Sequence, residues 1–219
     1  MQTLLSSIGF PKKALSVQST KAFVTLIQTV KPTVFWEVGN SIGAYSWLAL
    51  EHSRTCKAML FEADSANYSA MLRTIDRRQL HRANAINLVV STVSSSMGTC
   101  AEPAADAMGT RPKYLSLEQE ARRSVAVQRD GDGMERNAVE RLTLDGLLAR
   151  GYASPDIIKI NTPDAEQVVM DGARTVLETC SPILIVQTAS HNLVRYLEGM
   201  SYRSFPFDQD NLIFISVYF

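Results

Sequence analysis

The chain has 219 residues, of which 46% are hydrophobic and 20% are charged, and its 22 basic residues balance 22 acidic ones. These proportions are ordinary for one folded domain with a full core, and zero net charge disfavours nucleic acid or an anionic membrane as a partner. Cys56, Cys100 and Cys180 are too widely spaced for a zinc site, and no stretch approaches the roughly 20 apolar residues of a membrane span. We therefore expect a single domain over 1–219, located in the cytoplasm.

The first ninety residues alternate between helical and extended patterns. Apolar side chains with the spacing of one helix face occur over 19–30, and Ser19 is available as the helix N-cap. β-branched and aromatic residues over 33–38 predict a buried strand that stops at Gly39. The same patterns predict a helix over 44–50, a strand over 58–61, and a helix whose apolar face carries Tyr68, Met71, Leu72 and Ile75.

Five more strands are predicted in the rest of the chain. They cover 85–93, 156–160, 183–186 and a closing hairpin of 202–207 with 212–218. Thr162 can cap the helix after the strand at 156–160, with Pro163 at its first position and Asp164 and Glu166 in its first turn. Strands that alternate with helices indicate an α/β fold, here a Rossmann-like, mostly parallel sheet of seven strands with helices on both faces.

Two segments lack a regular pattern. Residues 1–18 precede the first predicted helix and form an N-terminal extension. Residues 94–137 are rich in small and polar side chains. We expect an irregular insert or lid there, with one short helix over 114–121.

The strongest sequence signal for a ligand is the run Glu37-Val38-Gly39-Asn40-Ser41-Ile42-Gly43, placed where a predicted strand ends and a helix begins. Glycines let the backbone approach a ligand at such a turn, and the free N–H groups of the helix N-terminus attract a carboxylate or phosphate. The pattern alone is weak and also fits a tight turn without a ligand. Glu62 strengthens it, because this acid ends the next strand 25 residues after Glu37, the spacing of an acid that binds a ribose diol.

The turn favours S-adenosylmethionine over NAD as the ligand. A dinucleotide site needs G-x-G-x-x-G around the pyrophosphate, and this turn lacks the middle glycine. The acid at Glu37 instead suits the ammonium group of an aminoacyl ligand. An NAD-type dehydrogenase on a similar sheet stays open as a lesser alternative.

Five segments, in this order along the chain, resemble FkbM-type methyltransferases. They are VFWEVGNSIGAYSWLAL, FEADSANYSAML, VERLTLDGLL with its Leu-Asp pair, DIIKINTPDAEQVVMDGARTVLE and SPILIVQ. The resemblance covers roughly residues 19–219 and implies a class I methyltransferase fold, S-adenosylmethionine as donor, and a hydroxyl acceptor on a sugar or natural product. The expected donor-binding residues are Glu37, Gly39, Asn40, Ser41, Gly43, Glu62, Ala63 and Ser91, the last beside the adenine.

The chain departs from the resembling family after the fourth and fifth strands. The family pattern K-x-D-x-E-G-x-E reads KINTPDAE here, with Asn161 and Pro163 in place of two acids, and Gln187 replaces the acid that commonly closes the fifth strand. Asn and Gln can orient a hydroxyl group but cannot take its proton at neutral pH. We expect Asn161 to contact the acceptor and His191 to be the base, without a metal ion.

The missing acids leave the base and the activity open. His191 also fits a solvated loop histidine, and Asp164 and Glu166 are alternative bases whose position at a helix start is explained by the helix dipole. The chain is either an active methyltransferase or a catalytically degenerate relative that acts as a binding or regulatory partner. One fold hosts many activities, so the fold alone does not separate the two. An open cleft beside Asn161 and Gln187 would favour the enzyme.

Overall fold

The computed structural model describes residues 15–39, 42–90, 126–129, 135–138, 140–162, 165–187 and 190–218. The strands are β1 (Val34–Val38), β2 (Lys57–Glu62), β3 (Ala83–Val90), β4 (Ala126–Arg129), β5 (Glu135–Ala138), β6 (Glu140–Leu142), β7 (Ile157–Ile160), β8 (Ile183–Val186), β9 (Tyr202–Pro206) and β10 (Leu212–Ser216). The helices are α1 (Val17–Val30), α2 (Ala44–His52), α3 (Ser65–Arg78), α4 (Leu144–Ala149), α5 (Glu166–Asp171), α6 (Arg174–Cys180) and α7 (His191–Gly199).

Eight strands form one sheet in the order β6-β3-β2-β1-β7-β8-β10-β9. Neighbouring strands are parallel except at β10, which is antiparallel to both β8 and β9. The strand order reverses at β1, which has β2 on one side and β7 on the other. A reversal of this kind opens a crevice at the carboxyl ends of the two central strands, where α/β proteins bind their ligands. The expected α/β class and the mostly parallel sheet are confirmed.

Helices cover both faces of the sheet. Successive side chains of each strand point to opposite faces, so each strand contributes to two cores. On β1, Phe35 packs into the core formed with α1, α2 and α3, and Glu37 reaches α2 on the same side. Trp36 and Val38 pack into the other core, formed with α4, α5, α6 and α7. The expectation of helices on both faces is therefore confirmed.

The sheet has one strand more than the seven expected, because β6 pairs with β3 at the edge. Two of the three residues of β6 are Glu140 and Arg141, so no apolar run marks this strand in the sequence. The irregular pattern expected over 94–137 is wrong in part, since β4 and β5 pair antiparallel within it. The short helix expected over 114–121 lies outside the described residues.

The first helix begins at Val17, inside the extension expected over 1–18. Ser16 is its N-cap instead of Ser19. The Ser16 Oγ atom accepts the Ser19 N–H at 2.9 Å, which is the contact a capping side chain makes with the third amide of a helix. Both serines precede the same apolar face, so the sequence pattern did not distinguish them.

The single helix expected after Thr162 is two short helices, and Thr162 is not the N-cap. The Thr162 carbonyl oxygen accepts the Ala165 N–H at 2.9 Å, and α5 begins after Ala165. The second helix, α6, is capped from another element. The Asp145 carboxylate in α4 accepts the N–H groups of Thr175 at 3.0 Å and Val176 at 2.9 Å. This long-range cap stabilises the break, and Asp145 is the acid of the Leu-Asp pair that resembles the family.

Candidate functional site

The glycine turn lies at the crevice, where β1 ends beside β7. Gly39 has a φ of +68°, in the region that L side chains rarely adopt. Its N–H donates to the Phe61 carbonyl oxygen at 2.9 Å, and a Cβ atom at Gly39 would lie 2.6 Å from the Asn161 carbonyl oxygen. Glycine is therefore required at this position, because the turn packs directly against the backbone that follows β7.

Gly43 is the second fixed point of the turn. It is the N-cap of α2 and has a φ of +73°. A Cβ atom here would lie 2.5 Å from Leu60 and 2.9 Å from Trp47, and the Trp47 indole N–H donates to the Ile42 carbonyl oxygen at 2.6 Å. The turn is thus held against β2 and α2. Its two middle residues, 40 and 41 (Asn40 and Ser41), lie outside the described part of the chain.

Glu37 lies inside the protein, behind the turn. The residue is 1% exposed, and Ser46 in α2 donates its backbone N–H at 2.8 Å and its hydroxyl at 2.5 Å to the Glu37 Oε2 atom. Burial raises the pKa of Glu37 above its ordinary value, and the hydrogen bonds from Ser46 and the charge of Lys159 oppose that rise. The N-terminus of α2, expected to attract a ligand anion, therefore already binds a carboxylate of the protein itself.

Lys159 on β7 is the cross-strand neighbour of Glu37 and is also 1% exposed. Its Nζ atom donates to the Ile160 carbonyl oxygen at 2.8 Å and lies 5.3 Å from the centroid of the Tyr45 ring. Burial lowers the pKa of Lys159 to about 8, and neighbouring carboxylates, Glu37 first among them, oppose the decrease. The sequence analysis missed this residue. A single lysine in the apolar run DIIKI was the signal that could have found it.

Glu62 ends β2 at the same edge of the sheet as Gly39, as expected. The residue is 6% exposed, and its Oε1 atom accepts the Asp64 N–H at 2.8 Å. Asn87 on β3, which the sequence analysis also missed, donates from Nδ2 to the Glu62 carbonyl oxygen at 2.8 Å. Ala63 is exposed beside Glu62, whereas Ser91, expected at the adenine, lies outside the described residues.

Two buried side-chain oxygens lie just beyond the end of β7. Among the described residues, neither the Asn161 Oδ1 atom nor the Thr162 Oγ1 atom has a hydrogen-bond partner. Both residues adjoin the glycine turn, since a Cβ atom at Gly39 would lie 2.8 Å from the Thr162 Cγ2 atom. Unsatisfied buried polar atoms are costly, so a ligand that donates hydrogen bonds here is favoured. The next two residues, Pro163 and Asp164, lie outside the described part of the chain.

Gln187 and His191 both lie beyond the end of β8 and are exposed. The Gln187 N–H donates to the Ile160 carbonyl oxygen at 3.3 Å, which places Gln187 at the carboxyl end of β7 beside Asn161. His191 is the first residue of α7 instead of a loop residue, with Ser190 as the N-cap. No hydrogen bond joins His191 to Asn161 in the described structure.

Other features of the described chain lie away from this crevice. A surface cavity of about 500 Å³ is lined by Arg174, Tyr196, Ser201 and Tyr218 among others, at the amino end of β8 and opposite to the glycine turn. Within the described ranges, no group of three or more His, Cys, Asp or Glu side chains could hold a metal ion. The helices of the same ranges include none long and apolar enough to cross a membrane.

No family model and no curated protein matches the sequence. Among solved structures, methyltransferase FkbM from Methylobacillus flagellatus KT aligns with a TM-score of 0.54 and 13% identity over 84% of this chain, which corresponds to 43% of that protein. An O-methyltransferase from Bacillus cereus in complex with SAH has a TM-score of 0.53 and 13% identity, over 98% of this chain and 90% of that one. The SAH-bound methyltransferase PaMTH1 from Podospora anserina has a TM-score of 0.56 and 10% identity, over 99% and 88%.

At these identities the likeness concerns the fold, and a shared fold does not by itself transfer an activity. The fold that the resemblance implied is therefore confirmed, and the chain has the class I methyltransferase fold.

Proposed function

We propose that the chain is a cytoplasmic S-adenosylmethionine-dependent methyltransferase of the FkbM type, which methylates a hydroxyl group of a sugar or natural product. The observation that carries the proposal is the pair of oxygens beside the Gly39 turn, Asn161 Oδ1 and Thr162 Oγ1, which have no hydrogen-bond partner among the described residues. They lie at the crevice where α/β proteins bind ligands. The fold, shared with proteins that bind SAH, the demethylated product of the donor, supports the proposal.

The aminoacyl end of the donor has the hydrogen-bond donors that these two oxygens lack. Its ammonium group carries three N–H donors, and both oxygens can accept hydrogen bonds. Because Glu37 is committed to Ser46, the end of β7 is a better site for this ammonium group than the Glu37 carboxylate expected from the sequence. The turn from Gly39 to Gly43 would contact the rest of the aminoacyl group.

Glu62 would bind the ribose. The Asp64 N–H fixes its Oε1 atom, which holds the carboxylate in one orientation at the end of β2. The hydrogen bond from the Asn87 side chain of β3 to the Glu62 carbonyl oxygen of β2 also holds the backbone of this acid in place. The segment after Val90 would line the adenine. A carboxylate oriented in advance loses little conformational entropy when the ribose hydroxyls bind.

When bound, the donor supplies a methyl group on a positively charged sulfur atom, which is already a strong electrophile. The chain therefore has to position the acceptor hydroxyl and remove its proton. The Asn161 side chain has one acceptor oxygen and two N–H donors, so it can face the donor through Oδ1 and orient the acceptor through Nδ2. His191 would take the proton, and Glu166 in the first turn of α5 is the alternative base.

Thermal unfolding in the presence of ligands tests the donor site. SAH at a hundredfold excess over its dissociation constant should stabilise the native protein by about 2.7 kcal/mol, because it binds the folded state alone. NAD at the same concentration is the matched control and should leave Tm unchanged. A shift with NAD and none with SAH would contradict the proposal and favour the dehydrogenase.

A second candidate function is a degenerate methyltransferase fold that acts as a binding or regulatory partner. It is favoured by Asn161 and Gln187, which stand where the resembling family has carboxylates. Transfer of labelled methyl groups from saturating donor to a panel of sugar and natural-product hydroxyls distinguishes the two. Donor that binds but is never consumed would favour the regulatory partner, whereas label in any acceptor establishes the enzyme.

A further inference from the structure

Lys159 is the only fully buried lysine among the described residues, and the proposed chemistry gives it no task. It lies in β7, two residues before Asn161, on the face of the sheet that α2 covers. A lysine in such a place is costly unless its charge is balanced, since an ammonium group loses its hydration on burial. Its charge therefore has to be balanced by neighbouring groups.

The groups around Lys159 come from four different elements. Glu37 is its cross-strand neighbour on β1 and the Tyr45 ring in α2 lies 5.3 Å away, and the charges of Asp208, in the turn between β9 and β10, and Glu166, in α5, also act on it. The aromatic ring lies at a distance at which it attracts a cation through its π face.

Lys159 lies beside two groups that flank the glycine turn, the Glu37 carboxylate and the Ile160 carbonyl group. On one side its charge acts on the Glu37 carboxylate, which accepts the two hydrogen bonds from Ser46 at the start of α2. On the other side its Nζ atom fixes the Ile160 carbonyl group, in the peptide unit that leads to Asn161. Gly39 and Asn161, which follow Glu37 and Ile160 in the chain, are among the residues that would bind the donor.

We propose that Lys159 is a positioning residue for the methyl donor: its ammonium group balances the charge of the Glu37 carboxylate that binds Ser46, and so holds the glycine turn against the end of β7. Removal of one partner of a buried charge pair leaves an uncompensated charge and is costly, whereas replacement of both partners is often tolerated. The inference rests on the proposed donor site, since it assigns Lys159 a role in shaping that site.

Three variants and two measurements test the inference on the full chain. Lys159→Met removes the charge and keeps the length of the side chain, and E37Q/K159M removes both charges. Lys21→Met, on the exposed side of α1, is the matched control. Calorimetric titration with SAH gives donor affinity, and amide hydrogen exchange followed by NMR gives the protection of the Ser46 N–H, with the Ser53 N–H at the other end of α2 as internal reference.

In Lys159→Met we expect SAH affinity to fall by about tenfold, within the range for coupling between neighbouring sites, and Ser46 to exchange faster while Ser53 changes less. The double variant should regain most of the affinity, because no unbalanced charge remains. Lys21→Met should match the wild type in both measurements.

Wild-type affinity together with unchanged Ser46 exchange in Lys159→Met would overturn the inference. A double variant as defective as the single one would also overturn it, because the packing of the lysine stem would then matter instead of its charge. If Lys159→Met does not fold, the folded double variant decides the question by its SAH affinity. If the wild type binds no SAH, the proposed function fails separately, and the Ser46 exchange rates alone decide whether Lys159 holds the turn.

Discussion

The Glu37 carboxylate accepts two hydrogen bonds from Ser46, one from the backbone and one from the hydroxyl, across the turn that joins β1 to α2. Two residues of that turn, Gly39 and Gly43, have positive φ angles, and glycine restricts the backbone less than any other residue. The contact between Glu37 and Ser46 therefore joins the helix to the strand directly, independently of the turn residues.

Replacement of Ser46 by alanine measures this contact. Ser46→Ala removes the hydroxyl donor and keeps the backbone N–H, so the free energy of unfolding should decrease by about 1.5 to 3 kcal/mol, the range for hydrogen bonds to charged groups. Urea denaturation provides the measurement. Ser69→Ala is the control, because the Ser69 hydroxyl donates to the neutral Ser65 carbonyl oxygen within α3. Equal losses in the two variants would show that the charge of Glu37 adds nothing.

Alanine at Gly39 should be far more costly than at a comparable glycine. Gly39→Ala introduces a positive φ for a side chain and a Cβ atom 2.6 Å from the Asn161 carbonyl oxygen. Gly151→Ala separates the two effects, since Gly151 has a φ of +83° with no atom near its Cβ position. We expect Gly151→Ala to cost about 1 to 2 kcal/mol in urea unfolding. Gly39→Ala should exceed that cost and abolish SAH binding, and similar costs for both would contradict the close packing of the turn on β7.

The positions of the glycine turn and of the acid that ends β2 could be predicted from the sequence, because their signals are local. A glycine after an apolar strand and an acid after the next strand identify the carboxyl edge of a parallel sheet, and Gly39 and Glu62 both lie there. What the sequence did not reveal is where the Glu37 carboxylate points. That depends on Ser46, whose hydroxyl faces inward only because α2 packs on this face of the sheet.

Apart from the N-cap of α1, the expectations about helices and strands that were wrong involve contacts between distant parts of the chain. The break between α5 and α6 is stabilised by Asp145, thirty residues before Thr175, and no pattern within the helix itself indicates it. The edge strand β6 is short and polar and is recognisable only through its pairing with β3. The environment of Lys159 also depends on a distant residue, because Glu37 is its neighbour on the adjacent strand.

Removal of the Glu62 carboxylate tests the ribose site. In Glu62→Ala, the affinity for SAH should fall by about 1.5 to 3 kcal/mol, because hydrogen bonds to a charged group are lost. Some stability should also be lost, since Glu62 is buried and accepts the Asp64 N–H. Calorimetric titration at a temperature where the variant stays folded separates the two effects. An unaltered dissociation constant would exclude Glu62 from the site.

The buried ammonium group of Lys159 should make stability depend on pH. Burial lowers its pKa to about 8 from an ordinary value of 10.5, so between these values the unfolded chain binds the proton and the native protein does not. Stability from this group therefore rises with pH across that window, by up to about 1.4 kcal/mol per pH unit. Below pH 8 the cost of the buried charge is fully present.

Comparison with Lys159→Met isolates this effect from other groups. Burial raises the pKa of the Cys56 thiol to about 11, which lowers stability at high pH in both proteins alike. Urea unfolding at pH 7.5 and pH 10 should show the wild type gaining stability relative to the variant. Parallel curves for the two proteins would mean that Lys159 keeps its ordinary pKa in the native state.

His191→Ala tests the assignment of the base. If the imidazole takes the acceptor proton, its loss should lower kcat by about 10²- to 10⁴-fold, while the affinity for SAH stays the same because His191 lies beyond β8 and away from Glu62. His81→Ala is the matched control, since His81 is also exposed but precedes β3 at the opposite end of the sheet. Substitution of an exposed histidine should alter stability by no more than about 0.5 kcal/mol, so a rate defect in His191→Ala alone is chemical. Equal rates in both variants would remove His191 from the mechanism, and Glu166→Gln would then test the remaining described candidate at the start of α5.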